Sequence, residues 1–357
     1  LVGPNTPMLA ACWFGIVKAG GIVVAAMPML RAGELAAIVQ RVEATHAICD
    51  ARTLAQLQKA RTDCPTLTTI TVINGDGADD LSARLAATRS DWTAVQTAAD
   101  DVALIAFTSG TTGVPKATAH FHRDVLAACL CWPSHVLRAT PEDRFIGSPP
   151  LAFTFGLGSL LLFPIFAGAS TVLVEKATPD VMPDLIVEYG ATIVATAPTA
   201  YRAMLQQSGD RLRGSSLRKC VSAGEALPAA TRAEWKARTG LEIIDGIGTT
   251  ELLHIFISHT EDDARAGATG RVVPGYTAWV VDEAMRPLPA GHVGRLAVKG
   301  PTGCRYLDDA RQRDYVRDGW NLPGDAYAMD EDGYFYHHGR TDDLIITGGY
   351  NVAGPEV

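Results

Sequence analysis

The sequence has few of the features that mark secreted, membrane-spanning or nucleic-acid-binding proteins. Its 7 cysteines are odd in number and no two have C-x-x-C spacing, which favours reduced thiols in the cytoplasm over a disulfide framework. No signal peptide is evident, and the most apolar run, Leu157–Ala167, is too short to span a bilayer and contains Pro164. The formal net charge of -8 argues against nucleic acid or an anionic membrane as a partner. A cytoplasmic protein that binds neither is expected.

Short β-branched runs alternate with longer helical patterns through residues 1–267. Runs such as Val102–Phe107 and Lys219–Ser222 predict strands, and the patterns at Glu34–Val42 and Arg123–Leu137 predict helices. This alternation predicts an α/β fold with mainly parallel sheets covered by helices. Residues 268–341 contain short strands separated by Gly, Pro and Asp turns, which predicts a smaller antiparallel β subdomain.

A loop rich in glycine and hydroxyl residues, TSGTTGVPK, follows the apolar run Val102–Phe107. Its backbone N–H groups and hydroxyls can converge on phosphate oxygens, and Lys116 adds a positive charge at its end. The spacing is not G-x-x-x-x-G-K-[ST], so binding by a helix dipole is not implied. An ordinary surface loop is the alternative for a segment of this composition. The candidate phosphate contacts are Thr108, Ser109, Gly110, Thr111, Thr112, Gly113 and Lys116.

The whole nine-residue string resembles the signature of the adenylate-forming superfamily, which includes acyl-CoA ligases, peptide-synthetase adenylation domains and luciferases. Four further segments follow in the order typical of that superfamily: SAGEALP (222–228), GIGTTE (246–251), LPGD (322–325) and GRTDD (339–343). The resemblance covers essentially the whole chain. It implies the large N-terminal domain of that fold, with stacked sheets, and a reaction in which a carboxylate attacks ATP and coenzyme A then takes the acyl group.

The resemblance also implies roles for three residues near the phosphates. Lys116 would hold the β- and γ-phosphates, Thr250 would meet the α-phosphate, and Glu251 would bind Mg²⁺. Both reactants are anionic, so positioned donors and a metal are needed to offset their repulsion. Without the resemblance, Glu251 would be taken for a solvated surface acid.

The nucleoside contacts follow from the same resemblance. Asp325 would accept both ribose hydroxyls and Arg340 would also touch the ribose, and a carboxylate can accept two hydrogen bonds at once. Ile247 stands where the superfamily usually has an aromatic residue, so aliphatic contact replaces ring stacking on adenine. The remaining predicted nucleotide contacts are Ala223, Gly224, Glu225, Asp245, Gly246, Gly248 and Thr249.

The segment expected to form the acid pocket has no charged residue between Ser148 and Ser170. A buried α-ammonium group needs a carboxylate partner, so an α-amino acid substrate is disfavoured. The strings PLAFTFGLG (150–158) and DGIGTTELLHIF (245–256) resemble the benzoate-CoA ligase and 2-aminobenzoate-CoA ligase subfamily. A flat apolar slot with one polar corner would suit an aryl ring. Its predicted lining is Phe153, Thr154, Phe155, Gly156, Ile247 and His254.

The leading hypothesis is an aryl-CoA ligase acting on benzoate or 2-aminobenzoate, with ATP, Mg²⁺ and coenzyme A, and with homodimerisation possible. Thr154 is predicted to lie near the ortho position of the ring and to favour the amino group. Taken alone, His254 would be a core histidine. Loading of an aryl acid onto a carrier protein, or binding without catalysis, are the alternatives.

The resemblance further implies a hinge at Asp342, with residues 342–357 opening a separate C-terminal domain. Because that domain supplies a catalytic lysine in the superfamily, the 357-residue chain is expected to bind ATP and aryl acid but to adenylate poorly. Both ends of the chain, at Leu1 and Val357, are expected to be cut.

Overall fold

The computed structural model describes residues 1–77, 80–88, 91–108 and 115–341, together with the strands at 344–347 and 350–353. Two π-helical turns, Pro133–Leu137 and Gly158–Leu162, and two 3-10 turns, Ala51–Thr53 and Gly209–Leu212, accompany the helices. The helices of the described residues are Pro7–Lys18 (α1), Ala32–Arg41 (α2), Leu54–Arg61 (α3), Leu81–Ala86 (α4), His122–Trp132 (α5), Thr154–Leu157 (α6), Phe163–Ala167 (α7), Met182–Glu188 (α8), Pro198–Ser208 (α9), Ala229–Thr239 (α10) and Gln312–Tyr315 (α11).

In the described residues, the strands fall into two larger and three smaller sheets. They are Val23–Val24 (β1), His46–Asp50 (β2), Thr69–Ile73 (β3), Val102–Thr108 (β4), Lys116–Phe121 (β5), Arg144–Gly147 (β6), Ser170–Val172 (β7), Ile193–Thr196 (β8), Lys219–Ser222 (β9), Ile243–Gly248 (β10), Ile255–Ser258 (β11), Arg271–Val272 (β12), Thr277–Val281 (β13), Gly294–Lys299 (β14), Val316–Arg317 (β15), Trp320–Asn321 (β16), Asp325–Met329 (β17), Phe335–Arg340 (β18), Leu344–Thr347 (β19) and Tyr350–Ala353 (β20).

The largest sheet has seven strands in the order β12-β11-β10-β9-β8-β6-β7. The five strands from β10 to β7 are parallel, and β11 and β12 add an antiparallel edge. The strands β1 and β4 are also parallel, as are β2 and β3. The predicted α/β fold with mainly parallel sheets is therefore confirmed.

The strands from β13 to β18 form the predicted antiparallel sheet. The short strand β12, Arg271–Val272, still pairs with β11 of the large sheet. The large sheet thus extends a few residues beyond position 267, while the domain boundaries themselves stay a prediction.

One continuous hydrophobic core joins the sheets. Its fully buried members include Phe145 of β6, Ile257 of β11, Leu296 of β14 and Phe335 of β18. Since these strands belong to both the parallel and the antiparallel sheet, the two sheets are held together by shared apolar burial. Asp245 of the parallel sheet and Asp325 of the antiparallel sheet line the same cleft.

A segment of the antiparallel region also pairs with β5. The amide of Ala119 donates to the carbonyl of Arg305 at 2.8 Å, and the amide of Leu307 donates to the carbonyl of Ala117 at 2.9 Å. An antiparallel bridge joins Thr118 and Tyr306 between these bonds. The segment from 305 to 307 is therefore fixed beside the strand that begins at Lys116.

Candidate active site

A cleft of about 460 Å³ opens at the carboxyl ends of the parallel strands β9 and β10. Ligands of open α/β sheets bind at this edge, because the loops that follow the strands converge there. The lining includes residues from four of the five motifs, two of which place Asp325 and Arg340 at one end of the β17–β18 pair. The predicted nucleotide contacts that line it are Gly224, Glu225, Asp245, Gly246, Ile247, Gly248, Thr249, Asp325 and Arg340.

Asp325 and Arg340 are neighbours across two antiparallel strands. Asp325 opens β17 and pairs in register with Arg340, which ends β18. The guanidinium Nη1 of Arg340 lies 3.2 Å from Asp325 Oδ2 and donates to the carbonyl of Pro323 at 3.0 Å. This pairing holds a mostly buried carboxylate at the mouth of the cleft, as the predicted ribose contact requires.

Asp245 lies at the buried end of the same cleft. Its amide donates to His259 Nε2 at 3.1 Å, and its carbonyl accepts from Ser258 Oγ at 2.6 Å. Burial raises the pKa of Asp245 to about 6, because the carboxylate loses hydration. Its Oδ1 has no hydrogen bond from the described residues. The backbone of Asp245 is thus fixed by two hydrogen bonds, while ionisation of its buried carboxyl group costs free energy.

A second cleft, of about 610 Å³, adjoins the first. Thr108 and Lys116 lie directly opposite each other at the ends of β4 and β5, and both line it. Thr250 and Glu251 line it as well. The structure therefore brings together the three residues predicted to act near the phosphates. Ser109, Gly110, Thr111, Thr112 and Gly113 lie outside the described residues.

Glu251 is buried and is held by a tyrosine. Tyr306 Oη donates to Glu251 Oε1 at 2.5 Å, and the other carboxylate oxygen receives no hydrogen bond from the described residues. Burial, and then the charge of Glu251, raise the pKa of Tyr306 far above its usual value, so the phenol stays a neutral donor. Among the described residues, no group of three or more His, Cys, Asp or Glu side chains is arranged to hold a metal ion by itself. One carboxylate oxygen fits Mg²⁺, which keeps several waters and also binds phosphate oxygens.

The turn from Thr249 to His254 links the phosphate cleft to the predicted acid pocket. The carbonyl of Thr250 accepts from His120 Nε2 at 2.8 Å and from the amide of Leu253 at 3.2 Å. Burial lowers the pKa of His120 to about 4, so this ring is neutral and donates from one nitrogen. Leu253 has a φ of 70°, in the left-handed region that branched residues rarely adopt. The turn thus carries both Glu251, which lines the phosphate cleft, and His254, which contacts aromatic rings.

His254 lies among aromatic rings. Its ring centroid is 4.5 Å from that of Phe163, 5.5 Å from that of Trp132 and 5.9 Å from that of Phe155. Burial lowers the pKa of His254 to about 3, so the imidazole is uncharged. Neither ring nitrogen makes a well-formed hydrogen bond with the described residues. The site is therefore apolar except for two buried imidazole nitrogens.

Two glycines permit this packing. A Cβ at position 158 would lie 2.4 Å from His254 Cδ2, and a Cβ at Gly248 would lie 2.6 Å from the His254 carbonyl carbon. Gly156, another predicted pocket residue, is equally constrained, because a Cβ there would lie 2.1 Å from the carbonyl oxygen of Pro150. These positions exclude any side chain unless the surrounding groups move.

The structure separates the other predicted pocket residues. Phe153 is 47% exposed and, with Thr154, lines a small cleft against Trp13 and Leu104. Ile247 lines the nucleotide cleft. Only Phe155, of the predicted pocket residues with a ring, contacts the ring of His254 in the described structure. The placement of Thr154 at the ortho position of a bound ring stays a prediction.

Sequence reasoning missed several residues that the structure places at the site. Tyr306, His120 and Trp132 belong to none of the five motifs, and their contacts join positions 55 or more residues apart. A short apolar or polar string carries no signal for such long-range contacts. The predicted hinge, Asp342, lies outside the described residues.

Comparisons with known proteins decide the family. A family profile described as AMP-binding enzyme matches residues 1–305. The chain belongs to the AMP-binding enzyme family. The benzoate–CoA ligase of Thauera aromatica is 33% identical over 350 residues, which cover 97% of this chain and 66% of the relative. The anthranilate–CoA ligase of Pseudomonas aeruginosa is 31% identical, covering 99% of this chain and 68% of the relative.

A solved structure gives the same picture. The crystal structure of an anthranilate CoA ligase in complex with anthranoyl-AMP superposes with a TM-score of 0.92 and 35% identity, covering 99% of this chain and 71% of that chain. The chain thus spans about two thirds of the length of the relatives that it matches. The predicted superfamily, its resemblance to benzoate- and 2-aminobenzoate-CoA ligases, and the fold are confirmed, anthranilate being 2-aminobenzoate.

The comparisons also bear on the predicted chemistry. The relatives are CoA ligases, and CoA ligases of the AMP-binding family use ATP, Mg²⁺ and coenzyme A. The prediction of an enzyme family with these reactants is therefore confirmed. In the part of the chain that the structure describes, no helix is long and apolar enough to cross a membrane.

Proposed function

We propose that the protein is an ATP-dependent aryl-CoA ligase that activates benzoate or 2-aminobenzoate through an acyl-adenylate. The proposal rests on the uncharged His254, which lies among three aromatic rings and in the same turn as Glu251. An aryl ring packs well against such rings by offset and edge contacts. The lack of charged residues from Ser148 to Ser170 supports an acid without an α-ammonium group.

Different residues along the two clefts bind the ribose, the adenine and the α-phosphate of ATP. Asp325 and Arg340 hold the ribose, and the strand ends that carry Gly224 and Gly246 border the adenine. Thr250 lines the second cleft beside Glu251, and its hydroxyl would meet the α-phosphate. Such fixed groups favour in-line approach of the two anionic reactants.

Lys116 and Glu251 offset the negative charge of the triphosphate in two different ways. The Lys116 ammonium neutralises phosphate oxygens directly, while Glu251 offers a carboxylate oxygen to a metal. When bound, Mg²⁺ would spread the negative charge of the leaving pyrophosphate. Preorganised charge of this kind contributes strongly to catalysis because the protein does not reorganise during the reaction.

Binding of an aryl-adenylate can be tested with the 357-residue chain. Isothermal titration with a non-hydrolysable benzoyl-adenylate analogue is expected to show one site, and a hexanoyl-adenylate analogue is expected to bind more weakly. Equal affinity for both analogues would contradict the aryl pocket. Replacing His254 by Ala should weaken binding of the benzoyl-adenylate analogue while leaving the affinity for ATP unchanged.

Catalysis is tested on the full-length protein. Pyrophosphate release with benzoate, 2-aminobenzoate and an aliphatic acid gives the substrate class, and AMP release that depends on coenzyme A identifies the acceptor. Pyrophosphate release without any effect of coenzyme A would favour loading of another acceptor. In the same assay, Thr154→Ala should change the ratio of kcat/KM for 2-aminobenzoate and benzoate, by at most about 1–3 kcal/mol in free energy.

A further inference from the structure

Tyr306 contacts two of the residues that the proposed function assigns to the phosphates. Its hydroxyl donates to Glu251 Oε1 at 2.5 Å, and its ring centroid lies 5.3 Å from Lys116 Nζ. Tyr306 and Glu251 are 5% and 8% exposed, so water competes weakly for the hydrogen bond. A cation over an aromatic face is attracted by the ring quadrupole.

The ring also separates two opposite charges. Lys116 and Glu251 line one cleft, yet they form no ion pair with each other within 4 Å. Lys116 lies over the face of Tyr306, and Glu251 bonds to its hydroxyl. A direct pair between them would engage both groups with each other and leave neither available to ATP or to a metal.

The position of Tyr306 is fixed by groups other than Glu251. Its amide donates to Gln312 Oε1 at 2.7 Å, and its neighbours bond to β5 on both sides. Its ring packs edge-on against Tyr315 at 5.7 Å, and the Tyr315 hydroxyl lies 3.2 Å from Thr249 Oγ1. A side chain held by these contacts can orient a flexible glutamate.

We propose that Tyr306 is a positioning residue that presents one oxygen of Glu251 to the divalent cation bound with ATP and keeps Lys116 apart from that carboxylate. This inference rests on the proposed function, because it requires ATP in this cleft. The hydroxyl acts on the metal through Glu251, and the ring acts on the triphosphate through Lys116. The two parts of one side chain therefore have separable effects.

Two substitutions separate them. Tyr306→Phe keeps the ring and removes the hydroxyl, so it should raise the Mg²⁺ concentration needed for half-maximal ATP binding by about tenfold, as loss of a group that orients a metal ligand typically does. Tyr306→Leu also removes the ring and should in addition weaken ATP binding at saturating Mg²⁺. Isothermal titration of ATP into the 357-residue chain at several Mg²⁺ concentrations measures both effects.

The matched control is Tyr201→Phe. Tyr201 is fully buried and its hydroxyl donates to the Val221 carbonyl at 2.9 Å, but it lies in a separate hydrophobic cluster. Loss of its hydroxyl should change thermal stability without changing the Mg²⁺ dependence. A shift of equal size in both variants would mean that Tyr306 has only a structural role.

A double-mutant cycle with Glu251→Gln completes the test. In that background Tyr306→Phe should add no further shift in Mg²⁺ dependence, because the carboxylate that it orients is gone. Should Tyr306→Phe fold poorly, Glu251→Asp, whose shorter side chain cannot keep the same hydrogen bond and metal position, should give the same Mg²⁺ shift. An unchanged Mg²⁺ dependence, in a chain that binds ATP normally, would overturn the role of Tyr306 alone. Absence of ATP binding by the unaltered chain would overturn the proposed function and this inference together.

Discussion

At the scale of single residues, Gly158 shows how closely His254 is packed. A Cβ at this position would lie 2.4 Å from His254 Cδ2, 2.6 Å from Nε2 and 2.8 Å from Phe163 Cζ. Real Cβ atoms do not approach so closely, so either the imidazole or the Phe163 ring must move. The packing of His254 against these rings therefore requires glycine at position 158.

We expect Gly158→Ala to displace His254 and weaken binding of a benzoyl-adenylate analogue, with an overpacking cost of about 1–3 kcal/mol in the free energy of unfolding. Titration calorimetry and thermal unfolding measure the two effects. Gly33→Ala in α2 is the control, since a Cβ there meets nothing within 4 Å and alanine favours a helix. Normal analogue affinity in Gly158→Ala would show that the pocket does not depend on the position of His254.

A second residue-scale prediction concerns the charge on Asp245. Its pKa is raised to about 6 in the folded chain, so the folded state binds the proton more tightly than the unfolded state. Stability is therefore lost as the pH rises from the ordinary carboxyl range through 6. Asp245→Asn should therefore raise the melting temperature more at pH 8 than at pH 5. The expected gain in the free energy of unfolding is up to about 3 kcal/mol at pH 8 and about half of that at pH 5.

Asp143→Asn is the control for this pH dependence. Burial alone would raise the pKa of Asp143, but Arg218 and Thr192 outweigh burial and lower it. This carboxylate therefore stabilises the fold above the ordinary carboxyl pKa, so its loss should lower the melting temperature by similar amounts at pH 5 and pH 8. Parallel pH trends in both variants would contradict the raised pKa of Asp245.

At the scale of elements, the turn from Thr249 to His254 depends on groups outside it. Buried Thr302 donates its hydroxyl to the carbonyl of Leu252 at 2.8 Å and accepts from Tyr276 Oη at 2.8 Å. The turn includes the left-handed Leu253, and strained backbone persists only where its surroundings fix it. Glu251 and His254 are thus positioned by one element with a common support.

Thr302→Val should therefore affect both clefts. Leaving the Leu252 carbonyl unsatisfied costs about 1–3 kcal/mol in stability, and the loosened turn should weaken both ATP and aryl-adenylate binding. The control, Thr68→Val, removes an exposed hydroxyl that donates to the Thr45 carbonyl at 3.0 Å and should change none of these quantities. A Thr302→Val chain that loses affinity for only one ligand would show that the turn does not act as a unit.

At the scale of the whole molecule, all seven cysteines are free and buried. Burial raises the pKa of Cys129, Cys220 and Cys304 to about 12, so these thiols do not form the reactive thiolate near neutral pH. We expect a disulfide reagent to label the native chain slowly and all seven thiols after denaturation. Rapid labelling of several thiols at pH 7 in the native chain would contradict this burial.

The sequence predicted the parts of the molecule that local patterns determine. The strand Lys219–Ser222 has the predicted bounds, since a short apolar run between turn residues is a local signal. The predicted helix from Arg123 to Leu137 instead ends at Trp132 and continues as a π-helical turn at Pro133, which cannot donate a backbone hydrogen bond. Motif residues such as Glu251 and Asp325 can be named as candidates because each lies in a distinctive string, while their roles stay a prediction.

The residues that support the motifs could not be predicted in this way. Tyr306 reaches Glu251 because positions 305–307 pair with β5, and His120 reaches Thr250 across two sheets. The resemblance of PLAFTFGLG predicts Phe153 and Thr154 in the acid pocket, and in the structure these two residues, at the start of α6, line a cleft with Trp13 and Leu104. Local strings do not specify which elements meet in three dimensions.

The pairing of residues 305–307 with β5 also has a consequence for the order of folding. It joins parts of the chain about 190 residues apart, and contacts of such long sequence separation form slowly because their loop-closure entropy is large. During synthesis, the strand that begins at Lys116 must wait for this partner until more than 300 residues have left the ribosome. The nascent chain therefore acquires a complete phosphate cleft only after positions 305–307 have been synthesised, when its parallel sheets can already have folded.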